Sequence, residues 1–275
     1  MTNAYADRTT LKSRLGITGT GDDTTLRQLL ESTSRVIDKW CRRWFYVKSD
    51  TRYYPGALKQ LWVTDDLLVI TTIKLDFDSD GTFEETMAAT DYFLMPHNDF
   101  PKNYLELNPQ GNYSTFAKNQ PKGVEIVGFF GYGTGLTATP YVTSTTTTNE
   151  ALDISETGVD VVDGTQIKPG QTILVESEQM YVTEVAANTL TVQRGVNGTT
   201  AATHDTAKTV FVYEYPKAVS EACIMTAAKF WKRRDSAFGT VIGFPEFGGV
   251  EIIRGMDPDV KDLLSPYAAL ARMYA

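Results

Sequence analysis

The most suggestive chemistry in the sequence is an acidic run in which Asp76, Asp78 and Asp80 alternate with other residues and Gly81 follows. This spacing matches the opening of an EF-hand loop, whose carboxylates coordinate calcium. Such a loop also needs a bidentate glutamate at its twelfth position, where this chain has Met87. Strand-like sequence flanks the run, whereas an EF-hand needs helices. The run therefore predicts a hairpin turn, with the three aspartates as the alternative metal ligands.

The residues that usually carry catalysis are few and scattered. The two histidines, His97 and His204, lie far apart in loop-like sequence, and no serine, cysteine or aspartate beside either forms a recognisable nucleophile site. Cys41 and Cys223 fall on the apolar sides of predicted helices, which is typical of buried reduced thiols. We expect no enzyme activity, no catalytic residues and no cofactor.

Two further motifs have ordinary structural explanations. The glycines from Gly128 to Gly135 follow a strand pattern, but no helix follows them as a dinucleotide-binding fold requires, so they predict a hinge or linker. Lys232, Arg233 and Arg234 end a predicted helix, where the helix dipole favours cations. Contact with DNA or with an acidic partner is the alternative role for this basic cluster.

Composition limits the classes of partner. The chain has 26 lysines and arginines against 34 aspartates and glutamates, which gives a net charge of −8. Tight binding of a nucleic-acid phosphate backbone requires the opposite sign of charge. No apolar run approaches the length of a membrane span, and the first residues lack the layout of a signal peptide. We expect no membrane partner and synthesis inside the cell.

Two predicted helices organise the chain. From Asp22 to Tyr46, apolar residues recur at three- and four-residue steps, the spacing of one helical face. A second helix starts at Pro216 and ends at the basic cluster. We expect the two helices to pack together, with core positions at Leu26, Leu30, Ile37, Trp40, Trp44, Phe230 and Trp231.

The sequence between these helices is rich in β-branched and aromatic residues. Strands are expected near residues 60–63, 70–77, 83–86, 92–95, 104–107 and 124–132, and a Gly, Thr and Ser tract over 131–150 predicts a linker. Residues 151–215 predict several short strands of a small barrel or sandwich. The predicted fold is α+β: a helical core domain with a small antiparallel sheet (1–140 and 216–275) and an inserted all-β module (141–215).

Several segments together resemble the head-tail connector, or adaptor, proteins of tailed bacteriophages. The resemblance covers residues 9–132 and 216–267 and is carried by the order of its motifs. These are TLKSRLGI, DDTTLRQLLESTSRVIDKWCRRWF, DSDGTFEET, TDYFLMP, GVEIVGFFGYG, WKRRDS and GGVEIIRGMDPDVKDLLSPY.

This resemblance implies a structural virion protein in the neck between head and tail, made in the host cytoplasm. It implies a ring, typically twelve-fold, that binds the portal protein above and the next neck, stopper or tail protein below. DNA would pass through the ring without specific binding, which an acidic channel suits. The tail combines a short strand with a helix that starts at Pro258, and its candidate portal or subunit contacts are Val250, Ile252, Leu263, Leu264, Tyr267 and Leu270.

The alternative function is a virion-surface binding protein whose β module engages carbohydrate or a host receptor. Such a module needs aromatic side chains on one face of a sheet, and its candidates are Tyr181, Phe211, Tyr213 and Tyr215. Strand alternation puts the last three on one side, which is more often a core face than a sugar platform.

Overall fold

A computed structural model describes residues 3–133, 140–235 and 255–269 of the chain. Within these residues, four α-helices lie toward the two ends of the chain, and every strand lies between the second and the third. The helices are α1 (Arg8–Leu15), α2 (Asp23–Cys41), α3 (Lys217–Asp235) and α4 (Pro258–Leu264), and short 3-10 turns lie at Gly164–Gln166 and Ser265–Tyr267.

In the described part of the chain, twelve strands form two antiparallel sheets of six strands each. The first sheet has the order β1-β6-β2-β5-β4, with β3 paired to the end of β2, and the second has the order β7-β12-β9-β10-β11-β8. The strands are β1 (Lys48–Tyr54), β2 (Gln60–Leu75), β3 (Glu85–Thr86), β4 (Tyr92–Met95), β5 (Lys102–Leu107), β6 (Val124–Phe130), β7 (Tyr141–Thr147), β8 (Gly158–Asp160), β9 (Thr172–Val175), β10 (Glu178–Ala186), β11 (Thr189–Gln193) and β12 (Thr209–Tyr213).

The predicted fold class is wrong, because the chain is mostly β, with 34% strand and 24% helix, and has no helical core domain. Three segments account for the difference. The segment before residue 55, for which no strand is predicted, forms β1. Two predicted strands merge into the sixteen residues of β2, and the predicted linker contributes β7. Apart from Thr145, which has a φ of 62°, the threonines of β7 suit extended backbone through their branched Cβ. The buried Ser144 hydroxyl donates to the Val210 carbonyl.

The helices begin and end where local chemistry dictates. Asp7 caps α1 by accepting a hydrogen bond from the Thr10 amide (2.7 Å), and Gly16 ends it in the left-handed conformation. Helix α2 ends at Cys41 because Arg42 adopts a left-handed conformation there. The predicted helix to Tyr46 is therefore too long, and Trp44 lies beyond its end.

The first sheet packs against its own apolar core. Alternate residues of β2 and β5 point inward, among them Leu61, Val63, Leu105 and Leu107, and they pack with Phe116, Val124, Ile126 and Phe130. The residues between them point outward, so this sheet has one buried and one exposed face.

The second sheet closes on itself as a small barrel. Its end strands β7 and β8 are joined by hydrogen bonds from the Val162 amide to the Thr147 carbonyl (3.0 Å) and from the Asn149 amide to the Asp160 carbonyl (2.8 Å). The interior is filled by aliphatic side chains, including those of Val159, Ile173, Val175, Met180, Val182, Leu190, Val192 and Val210. Closure removes the exposed strand edges of an open sheet.

By contact, the described chain forms two compact units. One holds the four helices with the barrel (3–42, 143–196, 201–235 and 255–269), and the other holds the first sheet (43–133, 140–142 and 197–200). In the helix and barrel unit, Arg8 of α1 forms a two-pronged ion pair with Glu184 of β10 (2.6 and 2.5 Å), and Tyr181 donates to Glu31 of α2 (3.1 Å). The predicted domain division stays a prediction.

Candidate functional site

The main surface feature of the described chain is a concentration of exposed aromatic side chains on the first-sheet unit. Five large aromatic side chains are at least 39% exposed, and all five lie between residues 53 and 100: Tyr53, Trp62, Phe77, Phe93 and Phe100. Exposure of large aromatic rings to water is energetically unfavourable, and aromatic residues are enriched at protein interfaces. This unit is therefore the candidate functional site.

The second aromatic patch lies on the outer faces of β2, β5 and β4 and consists of the exposed Trp62 and Phe93 and the partly exposed Tyr104. Trp62 is directly opposite Tyr104 in the strand register, with ring centroids 4.7 Å apart. Phe93 is opposite Glu106, and Tyr104 is opposite Met95. Strand alternation forces the arrangement, since the neighbouring residues on each strand fill the core. The patch is 62% exposed at Trp62.

The first aromatic patch consists of Tyr53 on β1 and Phe83 in the turn before β3, with ring centroids 5.7 Å apart. The ammonium of Lys122 lies 3.7 Å from the centre of the Tyr53 ring, a cation–π contact that holds the exposed ring in place. Phe77, at the start of the same turn, adds a further ring that is 44% exposed.

The acidic turn is built differently from an EF-hand loop. Asp76 is buried, and its two carboxylate oxygens accept hydrogen bonds from the amides of Ser79 (2.6 Å) and Gly81 (3.1 Å). Asp80 accepts instead from the Thr82 amide (2.7 Å). The turn joins β2 to β3 in an antiparallel hairpin, with Leu75 opposite Glu85.

The turn does not bring together the three predicted metal ligands, Asp76, Asp78 and Asp80. Oxygen atoms of Asp76, Asp78 and Glu84 lie within 4.8 Å of one another and could hold a cation, whereas Asp80 is not part of this group. Glu84 stands too early in the loop to be the EF-hand glutamate, so the spacing rule did not select it. The backbone amides already satisfy Asp76, which explains the turn without an ion.

A second charged cluster lies inside the barrel unit and was not predicted. The fully buried Glu178 accepts two hydrogen bonds from Arg194 (2.7 and 2.8 Å) and one each from the amides of Gly195 and Ala202. Burial alone would raise the pKa of Glu178, but these hydrogen bonds lower it to about 2. The cluster fixes a carboxylate charge in the interior.

His204, one of the two histidines considered for catalysis, belongs to this cluster. Its ring nitrogens lie 2.8 Å from Glu176 and 2.9 Å from Glu178, and the imidazole is buried. Arg194 also donates to the carbonyls of Asp153 and Glu156 (both 2.9 Å). These groups tie loops to β10, which is a structural role.

The predicted tail contacts separate into three groups. Leu264 is completely buried, while Leu263 and Tyr267 are partly exposed. Helix α4 packs against α3, where Lys229 forms an ion pair with Asp257 at the cap of α4. Val250, Ile252 and Leu270 lie outside the described residues.

The predicted helix-packing residues also differ among themselves. Leu26, Leu30, Ile37 and Trp231 are buried, and Trp40 and Phe230 are half-buried. Helices α2 and α3 contact each other, with the Ser34 hydroxyl 3.5 Å from the Cys223 sulfur. Trp44 lies outside α2 and stacks on Tyr46 with ring centroids 6.2 Å apart.

The aromatic residues proposed for carbohydrate binding are mostly covered. Tyr181 and Tyr213 are buried, and Phe211 and Tyr215 are partly exposed. Tyr213 packs on Tyr215 with ring centroids 4.6 Å apart, and Tyr215 packs on Tyr5 at 4.7 Å. Tyr213 and Tyr215 therefore fill space beside the N-terminal segment, and Tyr181 donates to Glu31 of α2, so the four side chains do not form an open platform.

Sequence reasoning missed Trp62 and Tyr104 as surface residues. A signal was available, because Trp62 alternates with the core residues Leu61 and Val63 in a predicted strand. The partner strand could not be known, however, so the pairing of the two rings was not predictable.

Comparison with models of known protein families and with curated proteins gives no match to this sequence. Within the part of the chain that the structure describes, no helix combines the length and the apolar character needed to span a membrane.

Proposed function

We propose that this chain is a structural virion protein of a tailed bacteriophage, a head-tail connector without enzymatic activity. In this role it forms a ring beneath the portal, joins the capsid to the tail and lets DNA pass through. The proposal rests on the sequence resemblance and on one structural observation about the segments that carry it.

That observation is the association of segments that are distant in the chain. Four of the seven segments that carry the resemblance include residues of the helices. Helices α1, α2 and α3 pack against one another, with α4 against α3, although all strands of the described chain lie between α2 and α3. Arg14 of α1 pairs with Glu221 of α3 (2.8 Å), and Cys223 contacts the Leu30 carbonyl of α2 (3.9 Å). Segments from the two ends of the chain that carry the resemblance therefore meet in the folded protein.

Charge and surface character agree with the proposed role. A net charge of −8 disfavours tight binding of DNA and suits a channel through which DNA slides. The exposed aromatic side chains of the first-sheet unit suit contacts with other proteins. Leu263 and Tyr267, the partly exposed tail residues, are the proposed portal contacts.

The test is binding of the purified full chain to portal-bearing capsids that lack their neck proteins. We expect co-sedimentation with these capsids and added density at the portal vertex in electron micrographs, and no binding to capsids without portal. Leu263→Asp should weaken binding, whereas Gln193→Lys, an exposed change on β11, should not. Equal binding to capsids with and without portal would contradict the proposal.

A further inference from the structure

The two aromatic patches occupy different parts of one sheet, since the second patch extends from Trp62 on the central strand β2 to one edge and the first patch includes Tyr53 at the other edge. Tyr53 of the first patch is on the end strand β1, and Phe93 of the second patch is on the other end strand, β4. Both point away from the core, because Tyr54 and Leu94, their neighbours in sequence, pack into it. The subunit therefore offers two different aromatic surfaces on one side of the sheet.

Two different surfaces imply a particular kind of self-association. An isologous dimer uses the same patch on both copies, whereas a head-to-tail contact joins one patch of a copy to the other patch of the next. Repetition of a head-to-tail contact produces a ring when the rotation closes. Patches in separate parts of a sheet suit this second arrangement, because each copy can contact two neighbours at once.

The exposed area fits the centre of such an interface. A large aromatic side chain offers about 150–250 Å², so Trp62 and Phe93, at 62% and 43% exposure, present about 200 Å² between them. Tyr53 and Phe77, at 46% and 44% exposure, present a similar area. This is roughly a quarter of the 800 Å² that a standard interface buries on each partner, and the rest is normally a polar rim.

We infer that the first aromatic patch of one copy binds the second aromatic patch of the next copy, head to tail. The contact rests on the proposed function, since it supplies the joint between neighbouring subunits of the ring. Trp62 is its central side chain, because exposed tryptophans in the middle of an interface carry much of the binding free energy.

The experiment blocks each patch separately and then mixes the variants. Trp62→Lys and Tyr53→Lys introduce the same charge at exposed positions, and the lysine that replaces Tyr53 would lie opposite Glu125, a favourable cross-strand pair. Gln193→Lys is the matched control in the barrel. Sedimentation velocity over a wide concentration range measures self-association of the full chain, and thermal melting followed by circular dichroism checks that each variant is folded.

We expect wild type and Gln193→Lys to form the same oligomers and each blocked variant to self-associate at least tenfold more weakly. An equimolar mixture of the two blocked variants should form one-to-one pairs and stop there, because each pair retains one intact contact. If Tyr53→Lys still assembles while Trp62→Lys does not, the contact joins like patches and the inference is wrong. Unchanged assembly of both variants, or a wild type that stays monomeric, overturns it as well.

A different experimental result would contradict the proposed function. Wild-type oligomers that depend on both patches but do not join portal-bearing capsids would leave the interface standing and remove the connector role.

Discussion

Replacing Arg194 with methionine should destabilise the barrel strongly. The substitution removes two hydrogen bonds to the Glu178 carboxylate (2.7 and 2.8 Å) and three to the carbonyls of Asp153, Glu156 and Ala202. Glu178 is fully buried, so its charge would remain in the interior without a cationic partner. Methionine fills a similar volume, which keeps the effect of lost packing small.

The size of the loss follows from the burial of the pair. Removing one partner of a buried ion pair costs about 3–5 kcal/mol, because the other charge stays desolvated. For a protein of about 150–250 residues, each kcal/mol lowers the melting temperature by about 2–4 °C. We therefore expect the barrel to melt about 10 °C lower in Arg194→Met than in the wild type.

Native-state hydrogen exchange at the amides of Val182 and Val192, in the centre of the barrel, measures this loss directly. The double variant Glu178→Gln/Arg194→Met should recover part of the stability, because it leaves no buried charge and the single amide oxygen still accepts one of the two backbone hydrogen bonds from Gly195 and Ala202. Lys208→Met removes an exposed ion pair to Glu176 and should melt like the wild type. A loss below about 1 kcal/mol for Arg194→Met, or no recovery in the double variant, would refute the reasoning.

Three further predictions concern the other clusters. Burial raises the pKa of Asp38 from 3.8 to about 6, so the folded protein keeps the Asp38 carboxyl protonated up to a higher pH than the unfolded chain does. Protonation of Asp38 therefore contributes fully to stability below pH 3.8, and this contribution is lost as the pH rises through 6. Asp38→Asn should flatten the stability profile between pH 4 and 6, and an unchanged slope in urea titrations would contradict this. Asp76→Ala should lower the free energy of unfolding by about 1–2 kcal/mol, because the turn loses the hydrogen bonds that its carboxylate accepts. Neither calcium nor a chelator should change the melting temperature of the wild type, and a melting temperature that falls with chelator would show an ion site. Leu264→Ala should lower the free energy of unfolding by about 2–5 kcal/mol because the Leu264 side chain is buried. Leu263 is partly exposed, so Leu263→Ala should lower it much less. Equal losses in denaturant melts would count against the packing of α4 on α3.

Local sequence was sufficient to locate most elements. The apolar spacing of α2, the proline at the start of α4 and the short strands β9 to β12 depend on neighbouring residues, which the sequence displays directly. The acidic turn was also correctly placed as a hairpin between strands, because its composition and flanks are local features.

The predominance of strands over helices depends on contacts between residues that are far apart in the sequence. A threonine-rich segment such as β7 is a strand only when a partner such as β12 lies beside it, and the two are about 65 residues apart in sequence. The same holds for closure of the barrel and for β1, which pairs with β6. Helical spacing is visible within one segment, whereas strand pairing is not, so sequence reasoning gave too much weight to the helices.

The candidate sites show the same division. The sequence identified which residues are acidic, aromatic or basic, and alternation alone could place Trp62 on an outer face. Only the tertiary structure put Trp62 opposite Tyr104, joined Glu84 to Asp76 and Asp78, and buried Glu178 against Arg194. These groups form because strands and turns from different parts of the chain meet at hydrogen-bonding distance, and that register is fixed by the whole core rather than by any one segment.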